Sequence, residues 1–260
     1  DVTAIFERHI LPTLGKLKLR AVTKADVSRL HSKLNATPYQ ANRVLSALSS
    51  LFGRAEEWGH SEEGSNPCRK VRRYQEPSRE RFLTKEERKR LAIVLTRHEK
   101  SSAITVSFIR LAMLTGCRKN ELLQLAWTEV DLANKCILLL DSKTGKRTVF
   151  LSSDALQILQ NTPREKDNPF VFPGAKQGAH LVNANKLWLK IRAEAGLEGV
   201  RLHDLRHTFA SMAIEAGLGL PVIGKLLGHN NAATTQRYAH LAEDPAREAL
   251  EVIGKKISGS

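Results

Sequence analysis

Apolar residues recur at spacings of three and four along most of this chain, and that period predicts a mainly helical protein. The first clear helix is opened by Thr23, with Asp26 three residues on as a capping box, and carries Val27, Leu30 and Leu34 on one face. A loop around Pro12 and Gly15 is expected before it. Thr37-Pro38 with Gln40 starts a second helix, which runs through Val44, Leu45, Leu48, Leu51, Phe52 and Ala55 to Trp58, where Gly59 stops it. Residues 1 to about 66 therefore read as a small helical unit. Periodicity then lapses from Asn66-Pro67 to Phe82, as in an interdomain linker. A second unit begins with another capping box, Thr84 to Glu87, and an apolar helix follows from about Ile104 to Leu114, closed by Thr115-Gly116. Arg118 opens a helix containing Glu121, Leu122, Leu125 and Trp127. Alternation from Cys136 to Leu151, broken by Ser142-Lys143-Thr144-Gly145-Lys146, predicts a β-hairpin. Helices are expected at 154–161, 183–195, 203–216, 220–228, 232–241 and 245–257. The expected class is mainly α with a small antiparallel sheet.

Composition narrows the partners. The chain has 260 residues, 42% of them hydrophobic, enough for packed cores and against wholesale disorder. Its net charge is +14, from 41 Lys+Arg and 27 Asp+Glu, which points to a polyanion. Residues 1–80 carry 14 Lys+Arg against 9 Asp+Glu, so both units are basic, at +5 and +9. A basic surface kept only for solubility is the plain alternative. Arg69, Lys70, Arg72, Arg73, Arg79 and Arg81 crowd the linker, suited to a phosphate backbone or simply to a solvated tether. No apolar run spans a membrane and no signal peptide opens the chain. Cys68, Cys117 and Cys136 form neither a disulfide framework nor a zinc cluster, which fits a reducing, cytoplasmic setting. The chain begins with Asp1 rather than methionine, as a piece of a longer protein would.

The richest chemistry lies between Val200 and Leu241. Helical spacing puts His203, Arg206 and His207 on one face; His229 follows a glycine-marked turn, and Tyr238 lies in a short helix beyond. Arginine binds phosphate through a planar fork, histidine moves protons near neutral pH, and tyrosine can attack phosphorus. Taken singly the signals are weak. His207 reads as a packed or surface side chain, and Tyr238 fits a core equally well. Arg118 with Glu121 is a common surface pair, and Lys143 and Lys146 suit a solvated turn. A zinc site on His203, His207 and His229 is disfavoured, because Asp204 and Leu205 follow His203 where a metal-binding HExxH motif has its glutamate.

The order and spacing of the set are far more specific. The strings TGCRKNELLQLAWTEVD, SKTGKRTVFL, LHDLRHTFAS and LLGHNNAATTQRYAH resemble the tyrosine recombinases, the phage-integrase family. The resemblance covers nearly the whole chain. It implies a helical core-binding, DNA-binding domain over 1–76, with the basic linker from about 67, and a catalytic tyrosine-recombinase domain over 77–260.

What the resemblance implies for chemistry is a site-specific recombinase that cleaves and rejoins duplex DNA without ATP, metal or cofactor. Tyr238 would attack a phosphodiester to leave a 3′-phosphotyrosyl bond and a free 5′-hydroxyl. Arg118 and Arg206 would clamp the non-bridging oxygens and Lys143 would protonate the departing 5′ oxygen. His203 would accept the tyrosine proton, His229 would hydrogen-bond the phosphate, and Glu121 would support Arg118. The partners implied are double-stranded DNA, a homo-oligomer that becomes a tetramer in the synapse, and accessory DNA-bending or directionality proteins. The amphipathic tail 244–257, with Ala246, Leu250, Ile253 and Ile257 on one stripe, either packs on its own domain or docks on a neighbouring protomer. A type IB topoisomerase-like enzyme and a catalytically idle DNA-binding regulator are the rival readings.

Overall fold

In a computed structural model the described residues are 2–76, 81–140, 145–241, 250, 253–254 and 257–258. The chain divides into two compact units, Asp1–Arg79 and Glu80–Ser260.

The regular elements described in the first unit are all helical. Its opening segment runs as α1 (Val2–Ile5), a π-helical stretch (Phe6–Ile10) and α2 (Leu11–Leu14), where a loop was expected. Pro12 does not break this run: it stands in the first turn of α2, directly after the wider π-helical turn, which closes with the Leu11 N–H donating to the Phe6 carbonyl. Ile5, Ile10 and Leu14 bury themselves from it. α3 (Lys24–Lys33) begins at the expected capping box, with the Thr23 N–H donating to Asp26 Oδ2 at 3.0 Å. α4 (Pro38–Glu57) starts at Pro38 as expected, but the Thr37 hydroxyl donates backwards to the Leu34 carbonyl instead of capping. Val27, Leu30, Val44, Leu45, Leu48, Phe52 and Cys68 complete the core.

The aperiodic stretch after Asn66 is tied to this unit as far as Glu76. Asn42, buried on α4, donates to the Tyr74 carbonyl at 2.8 Å and to Glu76 at 2.7 Å, and it accepts the Tyr74 N–H. Tyr74 stacks on His31 at 4.3 Å. Arg69 pairs with Glu56, while Lys70, Arg72 and Arg73 are exposed; Arg79 lies outside the described residues.

The second unit opens with α5 (Lys85–His98), capped by Thr84 and Glu87 as expected, and α6 (Ala103–Thr115). α7 (Lys119–Leu123) is shorter than its sequence pattern, because Trp127–Glu129 turns as a 3₁₀ segment. The expected hairpin pairs β2 (Cys136–Leu139) with β3 (Arg147–Phe150), and β1 (Val130–Asp131) adds a third antiparallel strand. Then come α8 (Ser153–Asn161), α9 (Ala184–Glu194), α10 (Asp204–Glu215), α11 (Leu220–Leu227) and α12 (Ala232–Gln236). Their main core holds Leu91, Phe108, Leu122, Leu125, Ile137, Phe172, Trp188 and Ile191. A separate cluster of Ala210, Ile214, Ile223, Leu227 and Tyr238 knits α10 and α11 to the segment after α12. The expected tail helix falls almost wholly outside the described residues.

Candidate active site

The C-terminal end of α11 organises the site. A helix leaves its last carbonyls without intrahelical donors, and its dipole makes that end negative. Here three successive carbonyls take three different arginines. Arg147 Nη1 donates to Leu226 at 3.2 Å, Arg206 Nη2 to Leu227 at 2.8 Å, and Arg118 Nη2 to Gly228 at 3.3 Å. Gly228 ends the helix in the left-handed conformation (φ 67°), where Arg147 packs so closely that a Cβ would meet its Cδ at 2.5 Å.

Each arginine reaches this point from a separate element. Arg206 rises from the first turn of α10 and is buried; its other arm donates to the Gly116 carbonyl at 2.6 Å. That carbonyl is available because Gly116 closes α6 with φ 61°, and any larger residue would strike Phe209 and Leu227. Two residues on, Arg118 stands just before α7, and Arg147 is the first residue of β3. Three cations in one place repel, and Glu121 offsets them: it accepts Arg118 Nη1 at 2.7 Å, the Arg118 N–H at 2.9 Å and Arg147 Nη2 at 2.7 Å. Burial pushes the Glu121 carboxyl up, but the Arg118 N–H and guanidinium, helped by Arg147, hold it below the usual range. Burial, then Arg118 and Arg147, lowers Arg206 to about 10, so it stays charged at neutral pH.

Just past Gly228, His229 Nδ1 bonds Thr235 Oγ1 at 2.8 Å, which leaves the far edge of its ring for another partner. Burial, then Arg206 and Arg118, pushes this histidine down to about 4, so the ring is neutral at pH 7. The carbonyl of the same Thr235 accepts the Tyr238 N–H at 3.0 Å, and this places the tyrosine beside the cluster. Tyr238 is only 5% exposed, its ring among Ile214, Ile223 and Leu227, yet its hydroxyl bonds His207 Nδ1 at 2.7 Å. Burial raises its pKa while Arg206 and Arg237 act in the opposite sense. His203 caps α10 in an exposed position, its ring 5.3 Å from that of His207.

The structure thus brings Arg118, Glu121, Arg206, His229 and Tyr238 into one network. Lys143 lies outside the described residues, and Lys146 is exposed. Two members were not foreseen. Arg147 was only a letter in the hairpin string, though a long cation opening a strand beside a lysine turn was the available signal. His207 read as a packed side chain, yet it holds the phenol expected to face His203. Among the described residues no group of three or more histidine, cysteine or acidic side chains is arranged to hold a metal ion. No described helix is long and apolar enough to cross a membrane.

Comparison with known proteins places this geometry. Residues 81–244 match the family model described as the phage integrase family. The tyrosine recombinase XerA of Saccharolobus solfataricus is 33% identical over 154 residues, covering 58% of this chain and 50% of that protein. The chain spans about half the length of several of the curated relatives it matches. Among solved structures, the Tn1549 transposon integrase in complex with transposon right-end DNA superposes with a TM-score of 0.70 at 18% identity, over 97% of this chain and 91% of that one. A lambda integrase tetramer bound to a Holliday junction gives 0.66 at 19% identity, over 89% and 70%. Identities this low establish a shared fold.

Proposed function

This chain belongs to the phage integrase family, and we propose that it is a site-specific DNA recombinase working through a phosphotyrosyl intermediate. The observation that carries the proposal is the gathering of three guanidinium groups on the carbonyls of residues 226–228, next to a tyrosine whose hydroxyl is already held by an imidazole.

In-line displacement at phosphorus puts negative charge on the equatorial oxygens, and preorganised cations stabilise it strongly in a partly dry site. Arg118 and Arg206 face those oxygens, and His229 adds a neutral ring edge. The Tyr238 oxygen bonds to phosphorus as the bond to the 5′ oxygen breaks. Lys143 gives that oxygen its proton. The tyrosyl ester keeps the energy of the broken bond, so rejoining to a new 5′-hydroxyl needs no ATP, and the arginines supply the charge a metal would otherwise bring.

The first unit also binds duplex DNA. Its exposed Lys70, Arg72 and Arg73 contact phosphates, giving affinity without sequence information. Four protomers assemble on two DNA sites, as the lambda integrase tetramer does on its junction, with the 244–257 tail docking on a neighbour and accessory DNA-bending proteins setting direction. The setting is the cytoplasm.

The test is a pair of plasmid assays using a duplex that the protein binds. Exchange between two copies of the site supports recombination. Relaxation of supercoils from one copy without exchange replaces the reading by a nicking-closing topoisomerase, and DNA retention without cleavage replaces it by a binding protein.

A further inference from the structure

His207 is the one polar side chain hydrogen-bonded to the Tyr238 hydroxyl among the described residues, at 2.7 Å through Nδ1. The contact is built rather than incidental. Tyr238 is held by its ring in the α10–α11 cluster, and His207 stands on α10 one residue after the buried Arg206. The two rings meet at 5.8 Å with a 54° tilt. His203 is exposed, and its ring lies edge-on to His207.

Resting on the phosphotyrosyl reading, we propose that His207, through Nδ1, is the base that accepts the Tyr238 proton as the phenolic oxygen attacks phosphorus. The bond from Tyr238 oxygen to phosphorus forms while the bond from phosphorus to the 5′ oxygen breaks. The phenolic proton moves to Nδ1, making an imidazolium, and the 5′ oxygen takes its proton from Lys143. Religation runs the same transfers in reverse.

The need for a base is quantitative. A phenol with a pKa near 10 is ionised in about one molecule in a thousand at pH 7, and burial raises Tyr238 further. The surroundings suit the role. His203, Asp204 and Arg206 from the start of α10, and Arg237 beyond α12, are the charged or titratable groups facing His207. Burial, then His203 and Arg237, pushes it down to about 4, so the free enzyme holds it neutral, with a free site for a proton but as a weak base. An arriving DNA phosphate adds negative charge beside it and strengthens it as a base when substrate is bound.

The experiment uses duplex DNA carrying a 5′-bridging phosphorothiolate, whose thiolate leaves without a proton, so that the cleavage rate reports the nucleophile alone. His207→Asn keeps a hydrogen-bonding group where Nδ1 stood but cannot take the proton. The wild-type rate should be flat from pH 6 to 8.5. The variant should be slower by about 100-fold or more at pH 7 and gain roughly tenfold per pH unit, as hydroxide replaces the missing base. A flat profile for His207→Asn, a rate within threefold of wild type, or a faster rate would overturn the assignment; the last would make the contact a latch. The same rising profile appearing in His203→Asn alone would move the role to His203. If His207→Asn does not fold, the wild-type solvent deuterium effect and the His203→Asn profile on the same substrate decide together: about twofold with a flat His203→Asn profile supports His207, while unity, or a rising His203→Asn profile, contradicts it. Absence of any Tyr238-dependent adduct on wild-type protein would remove the functional reading together with this inference. An adduct with an unaltered variant profile removes the inference alone.

Discussion

Replacing Glu121 by glutamine tests how the cationic pocket is held together. The carboxylate is 7% exposed at its side chain and accepts three hydrogen bonds, two of them from guanidinium groups that are themselves 24% and 10% exposed. Glutamine keeps the shape and one acceptor oxygen, so the Arg118 bonds can survive in part. Its NH₂ must then face a donor, either Arg118 Nη1 or, turned over, both the Arg118 N–H and Arg147 Nη2. One charge-assisted bond is worth about 1.5–3 kcal/mol, and breaking a buried pair from one side costs about 3–5 kcal/mol. With at most two bonds kept, neither of them to a charged acceptor, a loss of about 3 kcal/mol is expected. For a unit of 181 residues (80–260) that corresponds to about 6–12 °C in Tm.

Thermal melting can follow that unit alone. Of the three tryptophans only Trp58 lies in the first unit, where it is 62% exposed; in a Trp58→Phe background, Trp127 and Trp188 report the second. The pH dependence has a definite sign. Glu121 sits below its ordinary pKa of 4.5 when folded, so its stabilisation is present above that value and is lost as pH falls through the lower folded one. The gap between wild type and Glu121→Gln should therefore close in acid. A Tm within 2 °C of wild type at pH 7, or a gap that does not change with pH, would refute the idea that this carboxylate binds the arginines together.

Gly116→Ala should destabilise the second unit by about 2–5 kcal/mol in urea unfolding, from left-handed strain plus a Cβ 2.6 Å from Phe209 and 3.0 Å from Leu227; an unchanged midpoint would contradict the packing described. His207 and His229 both fall to about 4 when folded, so the unfolded chain binds more protons below pH 6.5. Stability should drop as pH falls from about 6.5 to 4, and the drop should shrink in the His207→Asn, His229→Asn double variant, read by melting at each pH. Changing Lys70, Arg72 and Arg73 together to glutamine should lower the slope of log affinity against log salt by about one unit for each cation that meets a phosphate. An unaltered slope would remove them from the interface.

Much of this arrangement was legible before any coordinates. The capping boxes at Thr23 and Thr84 mark helix starts because two reciprocal bonds at fixed spacing leave little else those residues can do. Pro12 misled, since proline signals a break only away from a first turn and nothing local shows which turn it occupies. Strand β1, two residues long, is too short to show a period. At the site, residue types and order pointed to Arg118, Glu121, Arg206, His229 and Tyr238, which the fold gathers. The three-carbonyl platform under the arginines was invisible, because backbone acceptors are the same at every position and only the meeting of α6, α10, α11 and β3 selects them. The exchange of His203 for His207 as partner of the phenol has a similar cause. The two histidines are one helical turn apart and chemically identical in sequence, and only the position of the segment after α12 distinguishes them.

The central claim is that Tyr238 joins covalently to a phosphate gripped by Arg118 and Arg206. It is tested most directly by covalent capture from a library of duplexes with one 5′-bridging phosphorothiolate at a fixed position between randomised flanks, followed by mass spectrometry of the peptide that retains DNA. A nucleotide adduct on Tyr238, present in wild type, absent in Tyr238→Phe and severely reduced in Arg206→Ala, is the predicted result. Recovery of no adduct, or of an adduct on any other residue, would contradict it.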